Sequence, residues 1–195
     1  LRAFEESDVD EIVLVTAPED VAFCRKNIVE KYGFRKVCAV VGGGEERYLS
    51  VYEGLKATEA EYVLIHDGAR PLSDEERIRL CMESVTREKA CVLATPVKDT
   101  IKVIDTDGYA AQTPDRSLLW AVQTPQCFER VLLMRAYARL FERLEAGTLC
   151  APITDDAMIV EQMTGQKVRL IRGKYTNIKI TTPEDMDVAK IFLNR

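Results

Sequence analysis

Short apolar runs alternate with longer stretches of helical periodicity along most of this chain. The apolar runs are nearly continuous rather than interspersed with polar residues, which is typical of strands buried on both faces. We predict such strands at Glu11–Thr16, Lys36–Val41, Tyr62–His66 and Ala90–Thr95. The helices predicted between them are Glu19–Glu30, Glu45–Ala57 and Ser73–Arg87. Buried strands that alternate with helices favour an α/β doubly wound fold with a mostly parallel sheet.

Several predicted helix starts carry recognisable capping residues. Ser73 and Glu76 match a capping box, in which each side chain satisfies a backbone N–H near the other residue. Thr154 is a suitable N-cap for a helix over Asp155–Met163, and Thr182 for the last helix of the chain. These side chains therefore have a structural explanation that needs no ligand.

The pattern changes after the fourth strand. Two short β-prone segments, Asp99–Ile104 and Tyr109–Gln112, flank an Asp-Thr-Asp-Gly turn and predict an exposed hairpin. Such a hairpin is marginally stable alone, so we expect residues 99–115 to form an arm that contacts something else, such as a second subunit. The rest of the single domain, residues 1–195, is predicted to contain the apolar segment Leu118–Val122, helices Glu129–Ala146, Asp155–Met163 and Pro183–Leu193, and strands Lys167–Ile171 and Ile178–Ile180.

Composition narrows the class of protein. The 195 residues are 47% hydrophobic and 30% charged, as in an ordinary globular domain. The net charge of −5 argues against a nucleic-acid partner, although a few cations focused in one cleft still attract a phosphorylated ligand. No apolar run approaches the roughly 18 residues that a membrane helix needs, and no secretory signal is visible. We therefore expect a cytoplasmic protein without a membrane partner.

Cysteine and histidine, which often carry chemistry, have structural interpretations in this chain. None of the six cysteines lies in a C-x-x-C pair, so we expect reduced core thiols at Cys24, Cys38, Cys81, Cys91, Cys127 and Cys150. His66 is the only histidine, and beside a buried strand it fits a packing role better than a catalytic one. A reaction that needs no histidine is favoured.

Loops after the predicted strands carry the first candidate site, because ligands of doubly wound sheets bind at the carboxyl ends of strands. Three glycines ending at Gly44, with Ser50 inside the next helix, allow close approach of a ligand to the backbone. Asp67 follows a buried strand, where a carboxylate can hold hydrated magnesium or a ribose hydroxyl, and Arg70 can pair with phosphate. A plain strand-to-helix turn and a surface Asp–Arg pair are the alternatives.

Three further segments combine polar and charged residues in a way that suits a ligand. Asp115-Arg116 precedes Trp120, which by itself fits a core position better than a ligand stack. Thr124 precedes a proline that forces extended backbone, as in a loop that grips a ligand. Lys179 falls in a predicted strand with apolar neighbours, where its charge is costly unless it meets an anion.

Taken in order, these segments resemble the 2-C-methyl-D-erythritol 4-phosphate cytidylyltransferases of the non-mevalonate isoprenoid route. The resemblance rests on GGEERYLSVYEGL, HDGARP, PVKDTIK, PDRSLLWAVQTPQCF, TDDA and TNIKITTPED, and it covers nearly the whole chain. It implies a Rossmann-like fold of the nucleotide-diphospho-sugar transferase type. It also implies that the substrate phosphate attacks the α-phosphorus of CTP and releases pyrophosphate, with Mg²⁺ bound mainly through the CTP phosphates. A phosphate monoester with a second pKa of about 6 is mostly dianionic at neutral pH, so no general base is required.

The same resemblance implies roles for individual residues. The cytosine pocket would be lined by Gly44, Glu45 and Ser50. The ribose and the metal ion would lie beside Asp67 and Gly68. The methylerythritol phosphate would be held by Arg70, Thr124, Thr154 and Lys179. Two more residues would reach it from the partner subunit of a homodimer through the arm, namely Thr100 and Arg116. The residues expected to act in catalysis are Arg116 and Lys179, which align the attacking phosphate, and Asp67.

The chain departs from the family at two places. Gly68 stands where the family usually has alanine, which is harmless if the backbone makes the contact. The larger departure is that LRAFEESDVDEIVLV matches the family only beyond its first strand and triphosphate-binding loop. We expect the natural protein to contain that region and the 195-residue chain alone to have negligible turnover. Since the first strand is central in the family, Glu11–Thr16 and Tyr62–His66 should lie about 10 Å apart, twice the usual strand spacing, with no ladder between them.

Other functions are compatible with parts of the sequence. A ribitol-5-phosphate cytidylyltransferase shares stretches like HD-A-x-RP and QTPQ, whereas TDDA and PDRSLLW favour the methylerythritol enzyme. A non-catalytic dimeric binding module is supported only by the missing loop. A Rossmann dehydrogenase is disfavoured because no G-x-G-x-x-G follows the first strand.

Overall fold

The computed structural model describes residues 1–149 and 151–193, and its elements follow the predicted α/β alternation. The strands are β1 (Ile12–Thr16), β2 (Val37–Gly42), β3 (Tyr62–Ile65), β4 (Ala90–Pro96), β5 (Val103–Ile104), β6 (Ala110–Gln112), β7 (Trp120–Glu129) and β8 (Arg169–Arg172). The α-helices are α1 (Arg2–Glu6), α2 (Val21–Cys24), α3 (Arg47–Lys56), α4 (Glu75–Glu88), α5 (Arg130–Glu145), α6 (Asp156–Thr164) and α7 (Pro183–Leu193). Shorter helical turns flank α2, with 3-10 geometry at Pro18–Asp20 and π geometry at Arg25–Glu30.

The strands form two sheets and a separate hairpin. In the smaller sheet β1 pairs with β2 in parallel. The larger sheet has the order β3-β7-β4-β8, in which β7 is antiparallel to both of its neighbours and β8 is parallel to β4. The α/β class with a mostly parallel sheet is therefore confirmed, with one departure. Strands β3, β4 and β8 run in the same direction, whereas β7 runs antiparallel between β3 and β4. Among the described strands no ladder joins β1 to β3, as the sequence predicted.

Strand β7 is the main element that the sequence did not predict. From sequence, Gln123–Gln126 is expected to be a ligand-binding loop, because it combines polar residues with a proline. In the structure these residues are buried within the strand, with Thr124 only 3% exposed. Pro125, whose peptide bond to Thr124 is cis, lies where the register between β4 and β7 is interrupted, so its missing N–H costs no ladder hydrogen bond.

The larger sheet is covered on both faces, which explains the continuous apolar runs. Even-numbered β4 residues such as Val92 pack with α5 and α6, whose core residues include Leu133 and Ile159. Odd-numbered residues of β4 pack against α4 on the other face; that cluster contains Cys81, Val85, Cys91, Leu93 and Cys127. Each face is thus supplied by alternate residues of the same strand, because side chains point to opposite faces at successive positions.

The three buried cysteines of that cluster fit the expected core thiols. Cys24 is only partly buried, and Cys38 is exposed on β2, so the expectation is wrong for Cys38. The reason is that β2 belongs to the separate two-stranded sheet, outside the cluster of the larger sheet that buries the other thiols. Cys150 lies outside the described residues.

Local hydrogen bonding corrects two predicted helix caps and one strand. Helix α4 is capped by Asp74, whose side chain accepts from the Arg77 N–H at 3.0 Å, and not by Ser73. Helix α6 is likewise capped by Asp155 and not by Thr154. In both cases an aspartate follows the hydroxyl residue, and its longer side chain takes the free N–H groups. Residues Ile178–Ile180 are irregular and form no strand, because Ile180 bonds to the Ala69 carbonyl of a loop.

The hairpin is present as predicted, although its strands are shorter. The Asp105 carboxylate accepts hydrogen bonds from the N–H groups of Asp107 and Tyr109, which closes the turn, and Gly108 supplies the positive φ of 85°. Both strands of the arm are exposed along their whole length.

Candidate active site

Asp67 lies at the centre of a cluster of charged side chains just beyond the carboxyl end of β3. Its Oδ1 is 3.4 Å from Nε of Arg47. Its Oδ2 is 3.2 Å from Nζ of Lys179 and 3.6 Å from Nε of Arg70. Three cations therefore surround one carboxylate, which gives this rim of the sheet an excess of positive charge suited to phosphates.

Separate parts of the chain bring these groups together. Arg47 opens α3 directly after the glycine-rich turn that ends β2. The loop after β3 is tied to the 177–180 segment by two bonds, from Arg70 Nη1 to the Asn177 carbonyl at 2.8 Å and from the Ile180 N–H to the Ala69 carbonyl at 2.8 Å. Lys179 is carried to Asp67 by this pairing of loops.

Thr124 and His66 fix the loop after β3 through hydrogen bonds to Asp67 and Arg70. Thr124 Oγ1 accepts the Asp67 N–H at 3.1 Å and lies 3.0 Å from Nδ1 of His66. His66 Nε2 lies 3.0 Å from the Arg70 carbonyl oxygen, which can only accept, so the neutral ring donates from Nε2 and accepts the Thr124 hydroxyl at Nδ1. Burial lowers the pKa of His66. The histidine is the satisfied packing group that the sequence indicated.

A second carboxylate, that of Asp156, lies beneath the rim and was not predicted to belong to the site. It is completely buried at the first turn of α6, where it accepts from Arg47 Nη1 and from the Tyr137 hydroxyl, each at 2.7 Å. Gln126 Oε1 accepts the N–H groups of Asp156 and Ala157 at 3.0 and 3.1 Å, which fixes this helix start. The sequence places Asp156 in the first turn of the helix predicted over Asp155–Met163, a position that favours acids whether or not they are buried.

The two carboxylates have opposite pKa shifts. Burial alone would raise the pKa of Asp67, but the charges of Arg47, Lys179 and Arg70 outweigh it, and the net pKa is lowered. For Asp156 burial is decisive and raises the pKa, although Arg47 and the Tyr137 hydroxyl oppose the shift. Asp67 is therefore ionised at neutral pH. Its carboxylate can bind cations or accept hydrogen bonds from hydroxyl groups at this rim.

Lys179 is in the predicted place for a different reason from the predicted one. Its side chain is 43% exposed and lies in irregular backbone, not in a buried strand. The expectation of a buried-strand lysine is therefore wrong, because its apolar neighbours Ile178 and Ile180 pack in a loop. The exposed ammonium group remains free to reach a ligand while it contacts Asp67.

The residues expected at the cytosine lie on the turn before α3. Ser50 Oγ is 3.2 Å from both the N–H and the carbonyl oxygen of Gly44. A Cβ at Gly44 would come within 2.5 Å of the Leu49 Cβ, so the turn requires glycine there. Glu45 is exposed beside it, and Gly68, exposed after Asp67, has open space where a side chain would project.

Thr100, Thr154 and Arg116 do not contact the Asp67 cluster among the described residues. Thr154 is exposed and contacts Met158 Sδ at 3.4 Å, two residues before buried Asp156. Arg116 is exposed at the base of the arm, where Nη1 donates to the Lys98 carbonyl at 2.7 Å. It borders, with partly buried Trp120, an open depression of about 440 Å³. Thr100 is exposed on the arm itself.

No cluster of three or more His, Cys, Asp or Glu side chains in residues 1–149 and 151–193 is arranged to hold a metal ion. The same residues include no helix long and apolar enough to cross a lipid bilayer.

Fold and rim together define the class of protein. Glycine-rich turns and cations at the carboxyl end of an α/β sheet, without a histidine nucleophile pair, are typical of a nucleotide-dependent transferase acting on phosphates. Comparison with known proteins makes this specific, because the family model described as 2-C-methyl-D-erythritol 4-phosphate cytidylyltransferase matches residues 1–195. The chain belongs to this family, and its enzyme class is that of the cytidylyltransferases.

Relatives of the same description are closely similar in sequence. One from Lachnospira eligens is 50% identical over 195 residues, which cover 99% of this chain and 84% of the relative. One from Caldanaerobacter subterraneus subsp. tengcongensis is 46% identical over 198 residues, with 100% and 84% covered.

Solved structures agree with the fold. The 4-diphosphocytidyl-2C-methyl-D-erythritol synthase from Anaerococcus prevotii superposes with a TM-score of 0.87 at 36% identity, over 100% of this chain and 83% of that one. The 2-C-methyl-D-erythritol 4-phosphate cytidylyltransferase from Thermus thermophilus gives a TM-score of 0.76 at 28% identity, over 100% and 86%. The likeness extends across the chain and is not confined to one motif.

Proposed function

We propose that this protein transfers CMP from CTP to 2-C-methyl-D-erythritol 4-phosphate. A phosphate oxygen of the acceptor forms a bond to the α-phosphorus of CTP, the bond to the bridging oxygen breaks, and pyrophosphate leaves. The carrying observation is the convergence of Arg47, Arg70 and Lys179 on Asp67 within 3.6 Å at one rim of the sheet. Such a rim neutralises the charge of two phosphorylated ligands held in line.

The acceptor phosphate would bind at Lys179 and Arg70. The Lys179 ammonium group is accessible, whereas Arg70 is 13% exposed and oriented by the Asn177 carbonyl. Thr124 supports Asp67 from behind, and Thr154 would contribute its exposed hydroxyl from the start of α6. The proposed nucleotide side of the cleft is the turn formed by Gly44, Glu45 and Ser50, together with Gly68.

Mg²⁺ is part of the proposal, with Asp67 as the carboxylate that would hold it. Asp67 is ionised and lies at the strand end, which suits a cation that keeps most of its ligands as water and phosphate oxygens. When bound, the ion would supply additional neutralisation of the triphosphate. Asp67 would hold it and also keep Lys179 and Arg70 in place.

A homodimer is proposed because the arm is exposed and apolar. Ile104 is 65% exposed and Tyr109 is 74% exposed, a state that burial against a second copy would relieve. Arg116 and Thr100 on the arm would then complete the phosphate site of the partner subunit. A cytoplasmic location is also proposed, and it agrees with the unpaired thiols among the described cysteines. The net charge of −5 is the reason for proposing no nucleic-acid partner.

The test is pyrophosphate release by the purified natural protein, with its N-terminal region included, in the presence of CTP, Mg²⁺ and each of two acceptors. We expect turnover with 2-C-methyl-D-erythritol 4-phosphate and a kcat/KM at least about 100-fold lower with ribitol 5-phosphate, because the acceptor pocket must distinguish two polar polyols. Higher efficiency on ribitol 5-phosphate would reassign the acceptor. Absence of both CTP binding and pyrophosphate release would favour a binding module.

A further inference from the structure

A continuous chain of polar contacts connects the hydrophobic core to the charged rim around Asp67. It begins at the Tyr137 hydroxyl, which donates to Asp156 Oδ1 at 2.7 Å. Asp156 Oδ2 accepts from Arg47 Nη1 at 2.7 Å, and Nε of the same guanidinium lies 3.4 Å from Asp67 Oδ1. One guanidinium thus bridges a buried carboxylate and the carboxylate of the rim.

The buried partner controls the orientation of Arg47. Its contact with Asp156 is 0.7 Å shorter than its contact with Asp67, as the difference between 3.4 and 2.7 Å shows. Asp156 is fully buried, whereas the Asp67 side chain is 15% exposed, so the inner pair is less screened by water. Arg47 also opens α3, two residues after Glu45. Its anchoring therefore fixes the turn that precedes the helix.

Tyr137 makes two separable contributions to this arrangement: the packing of its ring and the hydrogen bond of its hydroxyl group. Its ring is completely buried and stacks on Tyr52 with centroids 5.7 Å apart and contacts Phe141 at 6.0 Å, which phenylalanine would also do. Its hydroxyl is needed only for the bond to Asp156. A phenylalanine of the same shape would fill the core without satisfying a buried carboxylate.

We propose that Tyr137 is a positioning residue for nucleotide binding, which acts through Asp156 to hold Arg47 between the Gly44–Glu45 turn and Asp67. The inference rests on the proposed function, since it assigns the nucleotide to that turn. Tyr137 itself lies in the core and touches no ligand. Loss of its hydroxyl therefore loosens the nucleotide site from inside the protein.

The groups facing Asp156 make this role visible through pH. Burial and the nearby Asp155 raise the pKa of Asp156, whereas Arg47 and the Tyr137 hydroxyl lower it. Without the hydroxyl, the pKa rises further and the carboxyl group is protonated at higher pH, which releases Arg47. The acid limb of the pH profile should consequently move upward in Y137F.

The experiment compares Y137F with Y52F in the complete enzyme. Both variants remove one tyrosine hydroxyl from the same aromatic cluster, but in the described contacts Tyr52 has no carboxylate partner. We expect Y137F to raise the KM for CTP about 3- to 10-fold with kcat changed less than about twofold, as the loss of one charge-assisted hydrogen bond allows. The acid limb of log(kcat/KM) for CTP moves to higher pH in Y137F and stays in place in Y52F.

Failure of this inference is distinguishable from failure of the proposed function. If wild-type protein releases no pyrophosphate, the proposed function fails first. If wild type is active and Y137F matches Y52F in KM and in pH profile, Tyr137 has only a packing role. Should Y137F not fold, R47K carries the test, because one ammonium group cannot contact both carboxylates. An unchanged KM for CTP in R47K would overturn the proposal.

Discussion

The rim around Asp67 and the hairpin arm would supply the two halves of the proposed site, yet they are held in different ways. At the rim, charged side chains have partners within 3.6 Å, and Thr124 and Asp156 beneath them are buried. On the arm, strands β5 and β6 are exposed throughout and pair only with each other among the described strands. One chain can therefore preorganise the rim, whereas the arm would gain its packing partner only in the proposed dimer.

The largest effect should come from removing the carboxylate at the centre of the rim. D67N keeps the shape but leaves Arg47, Arg70 and Lys179 without their shared counter-charge, so we expect kcat/KM to fall by at least about 100-fold. The fall in kcat/KM is measured from the rate of pyrophosphate release. The control is D187N, an aspartate 76% exposed on α7, whose activity should stay within about twofold of wild type. An active D67N would reduce the rim to a structural feature.

A mixing experiment tests whether the arm completes the partner's site. R116A and K179A should each lose activity by about 100-fold, because each removes a cation from the attacking phosphate. Co-expressed in equal amounts, the two variants should recover about a quarter of wild-type activity, since half the dimers are mixed and each mixed dimer has one intact site. A mixture as inactive as its components would show that both residues serve the same protomer.

The apolar surface of the arm can be tested separately from its chemistry. I104D places a charge on a residue that is 65% exposed, and we expect it to weaken the dimer by about 10- to 100-fold because the interface would bury that charge. V131D alters a valine that is 71% exposed on α5 and should leave association unchanged. Sedimentation at several concentrations compares them. Equal dissociation constants would separate Ile104 from the interface.

The N-terminal cap of α4, near the loop that carries Lys179, should respond more weakly. Asp74 caps α4 and lies 2.9 Å from Nζ of Lys174, near the loop that leads to Lys179. D74A should lower the free energy of unfolding by about 1 kcal/mol. S73A should cost less, because the Ser73 hydroxyl is buried without a hydrogen bond. Urea unfolding measures the free energy of unfolding of both variants. A larger decrease in S73A than in D74A would identify Ser73 as the cap of α4.

The smallest effect should be the pH dependence that His66 contributes. Its pKa is lowered in the folded state, so the unfolded chain binds the proton more readily. The stability from neutral His66 is fully present above the unfolded pKa of about 6.5 and is lost as pH falls toward the folded pKa. Urea midpoints between pH 8 and 5.5 should fall in wild type, with a flatter slope in H66Q. Equal slopes would contradict the assignment.

Fold elements with strong local signals could be predicted, and those with mixed signals could not. The apolar run Ala90–Thr95 became the central strand β4 almost residue for residue. Strand β7 was missed because Gln123–Gln126 has polar side chains that only tertiary partners satisfy; Asn177 Nδ2, for example, donates to Gln123 Oε1 at 3.3 Å. Local propensity cannot register a partner more than 50 residues away.

At the rim, too, some residues could be identified from sequence motifs and others only from the structure. The family motifs placed Asp67, Arg70, Thr124 and Lys179 in the site, and the structure brings these four together. Arg47, Asp156 and Tyr137 were not assigned to the site from sequence. A charge at a helix start, such as Arg47 or Asp156, looks alike whether it faces water or a buried partner. Their contacts join positions 19 residues apart, from Tyr137 to Asp156, and 109 residues apart, from Asp156 to Arg47.

The sequence by itself determined the α/β class, the arm and the family, because periodicity, turn chemistry and ordered motifs are encoded within short stretches. Only the tertiary structure decided that β7 runs antiparallel through the larger sheet, and that a buried carboxylate anchors Arg47 under the cleft. Burial and electrostatic coupling arise between distant segments that fold onto one another. They set the pKa values of Asp67 and Asp156 in opposite directions although both are aspartates beside the same arginine.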